Sequence, residues 1–127
     1  MTFLKNRRNM KLNRSFYDKD ARIVGEDLIG KILVRKYNDT VIKSRIAETE
    51  AYIAAIDKAS HGYGGKITPR TKIMFGPPGY AYVYFIYGMY YCLNFVTEEE
   101  GTCSAVLIRA VEPLINEEEM SFNRYNK

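Results

Sequence analysis

Tyr80-Ala81-Tyr82-Val83-Tyr84-Phe85-Ile86-Tyr87-Gly88-Met89-Tyr90-Tyr91-Cys92-Leu93-Asn94 holds six of the eleven tyrosines of this 127-residue chain within twelve positions. The β-branched and aromatic residues on either side of Tyr87-Gly88 read as two strands joined by a tight two-residue turn, with Tyr87 at its tip. A ring held out on a rigid hairpin is a wedge. Rings alternating along the strands beneath it can form a stacking wall for a flat base that has left its partner. Alternating aromatics also commonly pack a sheet against a helix, but packing is least available at a hairpin tip.

Upstream of the hairpin, residues 57–79 read as loop: Gly62, Gly64 and Gly65 precede Thr68-Pro69-Arg70, and Gly76-Pro77-Pro78-Gly79 stops regular structure. Before that, Ile32–Tyr37, a turn at Asn38-Asp39-Thr40 and Val41–Tyr52 read as strand, turn and long strand. Asp20 is placed to cap a helix over residues 21–29, with Ile23, Val24, Asp27 and Leu28 as its stripe and Gly30 at its end. Residues 1–15 read as a basic, flexible arm, and residues 16–127 as one domain. Downstream of the hairpin come a third strand, Ser104–Val111, and a charged helix starting near Asn116.

Charge is distributed unevenly. The net charge is +4, and Lys5, Arg7, Arg8, Lys11 and Arg14 precede any acidic residue, whereas seven glutamates lie between Glu98 and Glu119 against Arg109 alone. A basic arm suits a polyanionic partner, and a solubilising tail is an equal reading of charge alone. Two cysteines, Cys92 and Cys103, are too few for a disulfide scaffold and point to a reducing intracellular compartment, cytoplasm with nucleoid or nucleus. The longest apolar run, residues 81–96, is short of a membrane span and rich in tyrosine.

In the long strand, a period of two sets Glu48, Glu50 and Tyr52 on one face and Ala47, Thr49 and Ala51 on the other. Two carboxylates on a sheet face must be wet, paired or catalytic. Arg45 and Arg109 are the candidate partners, and Arg109 stands out because its strand is otherwise apolar. A purely structural Glu–Arg pair accounts for the spacing as well. His61 is the only histidine, so no metal pattern arises. A lone histidine is more often a structural or surface residue, and its place in a Gly-rich loop nine residues after Tyr52 shifts that balance only slightly toward function.

Taken together, Ile46-Ala47-Glu48-Thr49-Glu50-Ala51-Tyr52, His61, Thr68-Pro69-Arg70, Met74-Phe75, Tyr82-Val83-Tyr84, Ile86-Tyr87-Gly88-Met89-Tyr90, Asn94 and Leu107-Ile108-Arg109-Ala110-Val111-Glu112-Pro113 resemble the alkyladenine (3-methyladenine) DNA glycosylase family, in order and spacing, from about Phe16 to Pro113. The resemblance implies an α+β single domain: a curved, mainly antiparallel sheet, a protruding Tyr-tipped hairpin and flanking helices. Family domains continue past the position of Lys127, so the domain is expected to be incomplete at its C-terminus.

The resemblance also implies a monofunctional hydrolase that needs no cofactor or metal. Such an enzyme acts as a monomer on double-stranded DNA and releases alkylated or deaminated purines of the 3-methyladenine, hypoxanthine or ethenoadenine type. Glu50 is then the general base that activates water, and Arg109 holds Glu50 and that water. Tyr52 stacks on one face of the flipped base, with His61 and Tyr84 on the other. Tyr87 fills the gap in the duplex, Asn94 crowds the amino group of guanine, and Arg70 lies near the DNA backbone. A two-residue turn, however, pairs Tyr84 with Tyr91 and sets Asn94 on the opposite face, so both line one pocket only if a bulge or bend shifts the register. The competing reading is a catalytically inactive fragment serving as a non-enzymatic DNA-binding module. A protein- or carbohydrate-binding β domain leaves Glu50 with Arg109 unexplained.

Overall fold

Antiparallel pairing organises the described part of the chain. In the computed structural model, which describes residues 2–5, 11–53, 72–86 and 90–115, six strands form one sheet: β1 (Thr2–Lys5), β2 (Ile32–Tyr37), β3 (Thr40–Ile53), β4 (Ala81–Ile86), β5 (Tyr90–Thr97) and β6 (Ser104–Ile115). Their spatial order is β1-β2-β3-β6-β5-β4, and every neighbouring pair runs antiparallel. The β2–β3 hairpin closes on Asn38-Asp39, with Asn38 at φ 52°. Asparagine tolerates that left-handed conformation, which two-residue hairpin turns require.

Two short helices, α1 (Arg14–Tyr17) and α2 (Ala21–Leu28), lie on one face of the sheet. The carboxylate of Asp20 caps α2 by accepting from the Arg22 backbone N–H at 2.8 Å; paired also with the Arg22 guanidinium, it is held down at a pKa of about 2. The buried stripe of α2 is Ala21, Val24, Gly25 and Leu28. The expected stripe is corrected at two positions: Ile23 is half exposed, and Asp27 turns outward to Lys19 at 2.6 Å. The contact row is built of smaller residues because the helix lies close against β3. The Thr49 hydroxyl donates to the Gly25 carbonyl at 2.9 Å, and a Cβ at position 25 would stand 3.3 Å from that hydroxyl oxygen.

The core under the helices joins Tyr17, Ala21, Val24 and Leu28 to Ile46, Phe95 and Val106 of three strands. Burying each aliphatic side chain of this kind contributes roughly 1.5–3 kcal/mol. A second cluster, Met74, Tyr82, Val96, Cys103 and Ala105, joins a 3-10 turn at Lys72–Phe75 to β4, β5 and β6. Cross-strand partners share a face, so the pairing of Val96 with Ala105, next to that of Phe95 with Val106, puts this cluster on the face opposite the helices. Both cysteines are free thiols, and burial pushes Cys103 up to about 11. No helix among the described residues is long and apolar enough to cross a membrane.

The molecule is thus the expected α+β domain with a curved antiparallel sheet. Three details differ from the sequence expectations. Residues 2–5, taken as part of a free arm, pair with β2 and cover its outer edge, which would otherwise present unpaired backbone groups. The third strand runs on to Ile115 instead of ending at Val111. The β4–β5 register pairs Ile86 with Tyr90, which leaves three residues between the strands instead of two. The hairpin tip with Tyr87, most of the 57–79 loop and the helix expected near Asn116 lie outside the described residues.

Candidate active site

The site begins with a change of phase in β3. Along Ile42, Ser44 and Ile46 the even positions are buried, with Lys43 and Arg45 outside the core. Continued unbroken, that period would carry Glu48 and Glu50 into the core. The ladder with β6 shifts instead between Ile46 and Glu48, leaving Ala47 as an extra residue, and shifts back between Glu48 and Thr49, leaving Arg109 as an extra residue on β6. After the first bulge the odd positions face the helices. Thr49 reaches Gly25, and Ala51 and Ile53 pack on the helix-side core. Glu48, Glu50 and Tyr52 therefore share the other face, as the local period of two predicts. A bulge re-aims side chains in this way at the cost of one unpaired residue.

Arg109, the second extra residue, joins the two carboxylates. Its Nη1 donates to Glu50 Oε1, and its Nε stands 3.6 Å from Glu48 Oε2. The phenol of Tyr52 donates to Glu50 Oε2 at 2.5 Å. The Tyr52 hydrogen bond, and after it Arg109, hold the Glu50 carboxyl below its ordinary range, partial burial opposing them. Glu50 is consequently a carboxylate at neutral pH with both oxygens in charge-assisted bonds. Arg45, the other candidate partner, pairs with Glu112 at 3.1 Å and takes no part.

These groups border an open cleft of about 500 Å³, lined from α2 and its C-cap by Arg22, Gly25, Glu26 and Ile29, from β3 by Glu48 to Ala51, and from β6 by Arg109. The Glu50 side chain is about one-third exposed and Arg109 more than half, so a solute can reach both. Among the described residues no group of three or more His, Cys, Asp and Glu could hold a metal ion.

Asn94 lies in the same cross-strand row as Glu50. Glu50 opposes Leu107, Leu107 opposes Asn94 and Asn94 opposes Tyr82, so the four share one face of the sheet. Two inter-strand spacings separate Glu50 from Asn94, about 10 Å. The Asn94 side chain is nearly buried, and its Nδ2 donates to the carbonyls of Tyr82 at 3.2 Å and Cys92 at 3.3 Å. Both partners are acceptors, so the nitrogen is the atom that must face them and the amide orientation is fixed. Tyr84 opposes Cys92, two residues from Asn94, so the three-residue connection puts positions 84 and 94 on one side of the hairpin. This register removes the conflict that a two-residue turn creates.

Glu50, Arg109 and Tyr52 are thus brought together, with Asn94 on the same face. His61, Arg70 and Tyr87 lie outside the described residues, and at position 84 only the backbone is described. The sequence places Glu48 beside Glu50 but assigns it no role, and its carboxylate shares Arg109. Its signal was the spacing of two from Glu50.

The fold and the cluster define a small α+β domain organised around two carboxylates that share one arginine at an open cleft. The chain belongs to the methylpurine-DNA glycosylase family, whose model matches residues 15–127. It is 60% identical over 118 residues to a protein of Alkaliphilus oremlandii (strain OhILAs), and 55% identical over the same length to proteins of Clostridium botulinum (strain Hall) and Clostridium perfringens (strain SM101). All three bear the name "Putative 3-methyladenine DNA glycosylase". In each case the alignment covers 93% of this chain and 58% of the relative. The chain therefore spans a little more than half the length of these curated relatives.

Proposed function

We propose that the protein is a monofunctional DNA glycosylase that flips alkylated or deaminated purines out of duplex DNA and hydrolyses their bond to deoxyribose. The observation that carries this reading is the state of Glu50: a carboxylate kept ionised by Tyr52 and Arg109 at an accessible cleft, in a chain of the methylpurine-DNA glycosylase family. Each carboxylate oxygen has two lone pairs, so Glu50 can bind a water while keeping both present partners. As the water oxygen bonds to C1′, its proton passes to Glu50 and the electron pair of the glycosidic bond leaves with the base nitrogen. Arg109 fixes the carboxylate and its water.

An N-alkylated purine is cationic and leaves as a neutral base, so water activation suffices. Hypoxanthine and ethenoadenine are neutral and need a proton as well. In this reading Tyr52 stacks on one side of the extruded base and His61 and Tyr84 on the other. Tyr87 enters the duplex, Asn94 obstructs the amino group of guanine, and Arg70 lies along the DNA backbone. Selectivity begins before the pocket, since a mispaired or damaged base costs less to unstack. The partner is double-stranded DNA inside the cell, and the protein acts as a monomer.

The test is incubation of the purified protein with a duplex carrying a single hypoxanthine or ethenoadenine, followed by detection of abasic sites, with Glu50→Gln as control. Abasic sites formed by the wild type and lost in the variant support the reading. Tight binding of the lesion duplex with no base released would leave a DNA-binding module and overturn the enzymatic assignment.

A further inference from the structure

Glu48 has no step in the reaction above, yet it sits on the open face of β3, two residues from Glu50, and shares its arginine. Among the described residues, the charges that line the cleft do not balance. Of the two described arginines lining it, Arg22 is paired with Asp20 through a 2.8 Å contact, and Arg109 pairs with both Glu48 and Glu50, while Glu26 lines the same cleft. Three carboxylates against one remaining guanidinium leave this described lining anionic. Glu50 must be a carboxylate to act as a base, and Glu26 projects from the helix. Glu48 is the surplus charge on the strand that carries the base, about 7 Å from Glu50 at the rise of an extended strand.

Resting on the proposed glycosylase reading, we propose that Glu48 is a specificity-determining residue that biases the site toward cationic purines, the N-alkylated class, over neutral lesions. A cationic base held beside Glu50 is attracted by the Glu48 carboxylate, and a neutral base of the same shape is not. Glu48 touches neither the water nor the scissile bond. It acts through space and is screened by solvent, since its side chain is 61% exposed, so its effect is modest and weakens with salt.

The substrates that test this must differ in charge but not in the group that Asn94 is proposed to reject. Methylated adenines and hypoxanthine both lack the 2-amino group of guanine. An A·T-only duplex treated with methyl methanesulfonate supplies cationic N-methyladenines, and a matched duplex with one hypoxanthine supplies the neutral lesion. In Glu48→Gln the ratio of the two release rates should fall about three- to tenfold at low salt. Glu48→Asp should restore most of the ratio, and high salt should shrink the difference between wild type and Gln variant.

Equal losses on both substrates would mean that Glu48 only positions Arg109, and an unchanged or increased ratio would mean that its charge is not sensed; either result overturns the inference while the glycosylase reading stands. Release of neither base by the wild-type protein overturns both.

Discussion

Tyr52 and Glu50, two residues apart on the outer face of β3, are joined by a phenol-to-carboxylate hydrogen bond of 2.5 Å. That bond is the largest of the influences that lower the Glu50 pKa, ahead of Arg109. A general base works only while ionised, so activity should fall as the pH drops through its pKa. Tyr52→Phe keeps the ring and removes the hydroxyl. The Glu50 pKa should therefore rise, and the acid limb of the kcat/KM profile should move to higher pH with little change in lesion binding. An acid limb at the wild-type position would show that the phenol does not tune Glu50.

Arg109→Ala removes the cation from both carboxylates. Turnover should drop by about 100-fold, the usual scale for losing one fixed electrostatic contact in an active site. Stability should change by no more than about 1 kcal/mol, because a pair this exposed is screened. Single-turnover kinetics and thermal denaturation of the same variant separate the two effects. A fully active variant would remove Arg109 from the site.

Asn94 is held by two carbonyls of its own hairpin, so it can obstruct a bulky neighbour without swinging away. In Asn94→Ser the obstruction shrinks and its anchors are lost. Release of free guanine from undamaged duplex should then rise by roughly tenfold or more, a scale set by about 1.4 kcal/mol of lost discrimination. Guanine release equal to that of wild type would show that the asparagine serves only the hairpin.

Gly25 lies where α2 packs closely on β3, with 3.3 Å between a built Cβ and the Thr49 hydroxyl oxygen. Gly25→Val would force branched methyls against Thr49 and Val106, lift the helix from the strand and cost about 1–3 kcal/mol. Urea denaturation should register the loss. Activity should fall with it, since the displaced helix forms one wall of the cleft that Glu50 borders. Wild-type stability in this variant would mean that the close approach tolerates a side chain.

The sequence was most legible where one local signal sufficed. The Asp20 cap, the Asn38-Asp39 turn, the long strand and the shared face of Glu48, Glu50 and Tyr52 all follow from neighbouring residues. What it hid depends on pairing between distant segments. Nothing near Ala47 announces that it is extra in its ladder, because a bulge is defined only against the partner strand. The length of the β4–β5 connection is set in the same way, with Gly88 inviting a tighter turn than the register adopts. Arg109 stands out in the sequence as the charge in an apolar strand, but its reach to both carboxylates follows from the second bulge and has no local signal.

The paired bulges of β3 and β6 make this site a matter of count more than of kind. Ala47 is solvent-exposed and opposes no residue on β6, so many side chains can replace it at little cost. Adding or removing a residue on only one of the two strands is another matter. It would break the compensation and either rotate the carboxylates toward the helices or slide Arg109 out of their reach. Over generations this segment should accept exchanges of letters freely while refusing changes of length, and indels there should appear only as matched pairs, one on each strand.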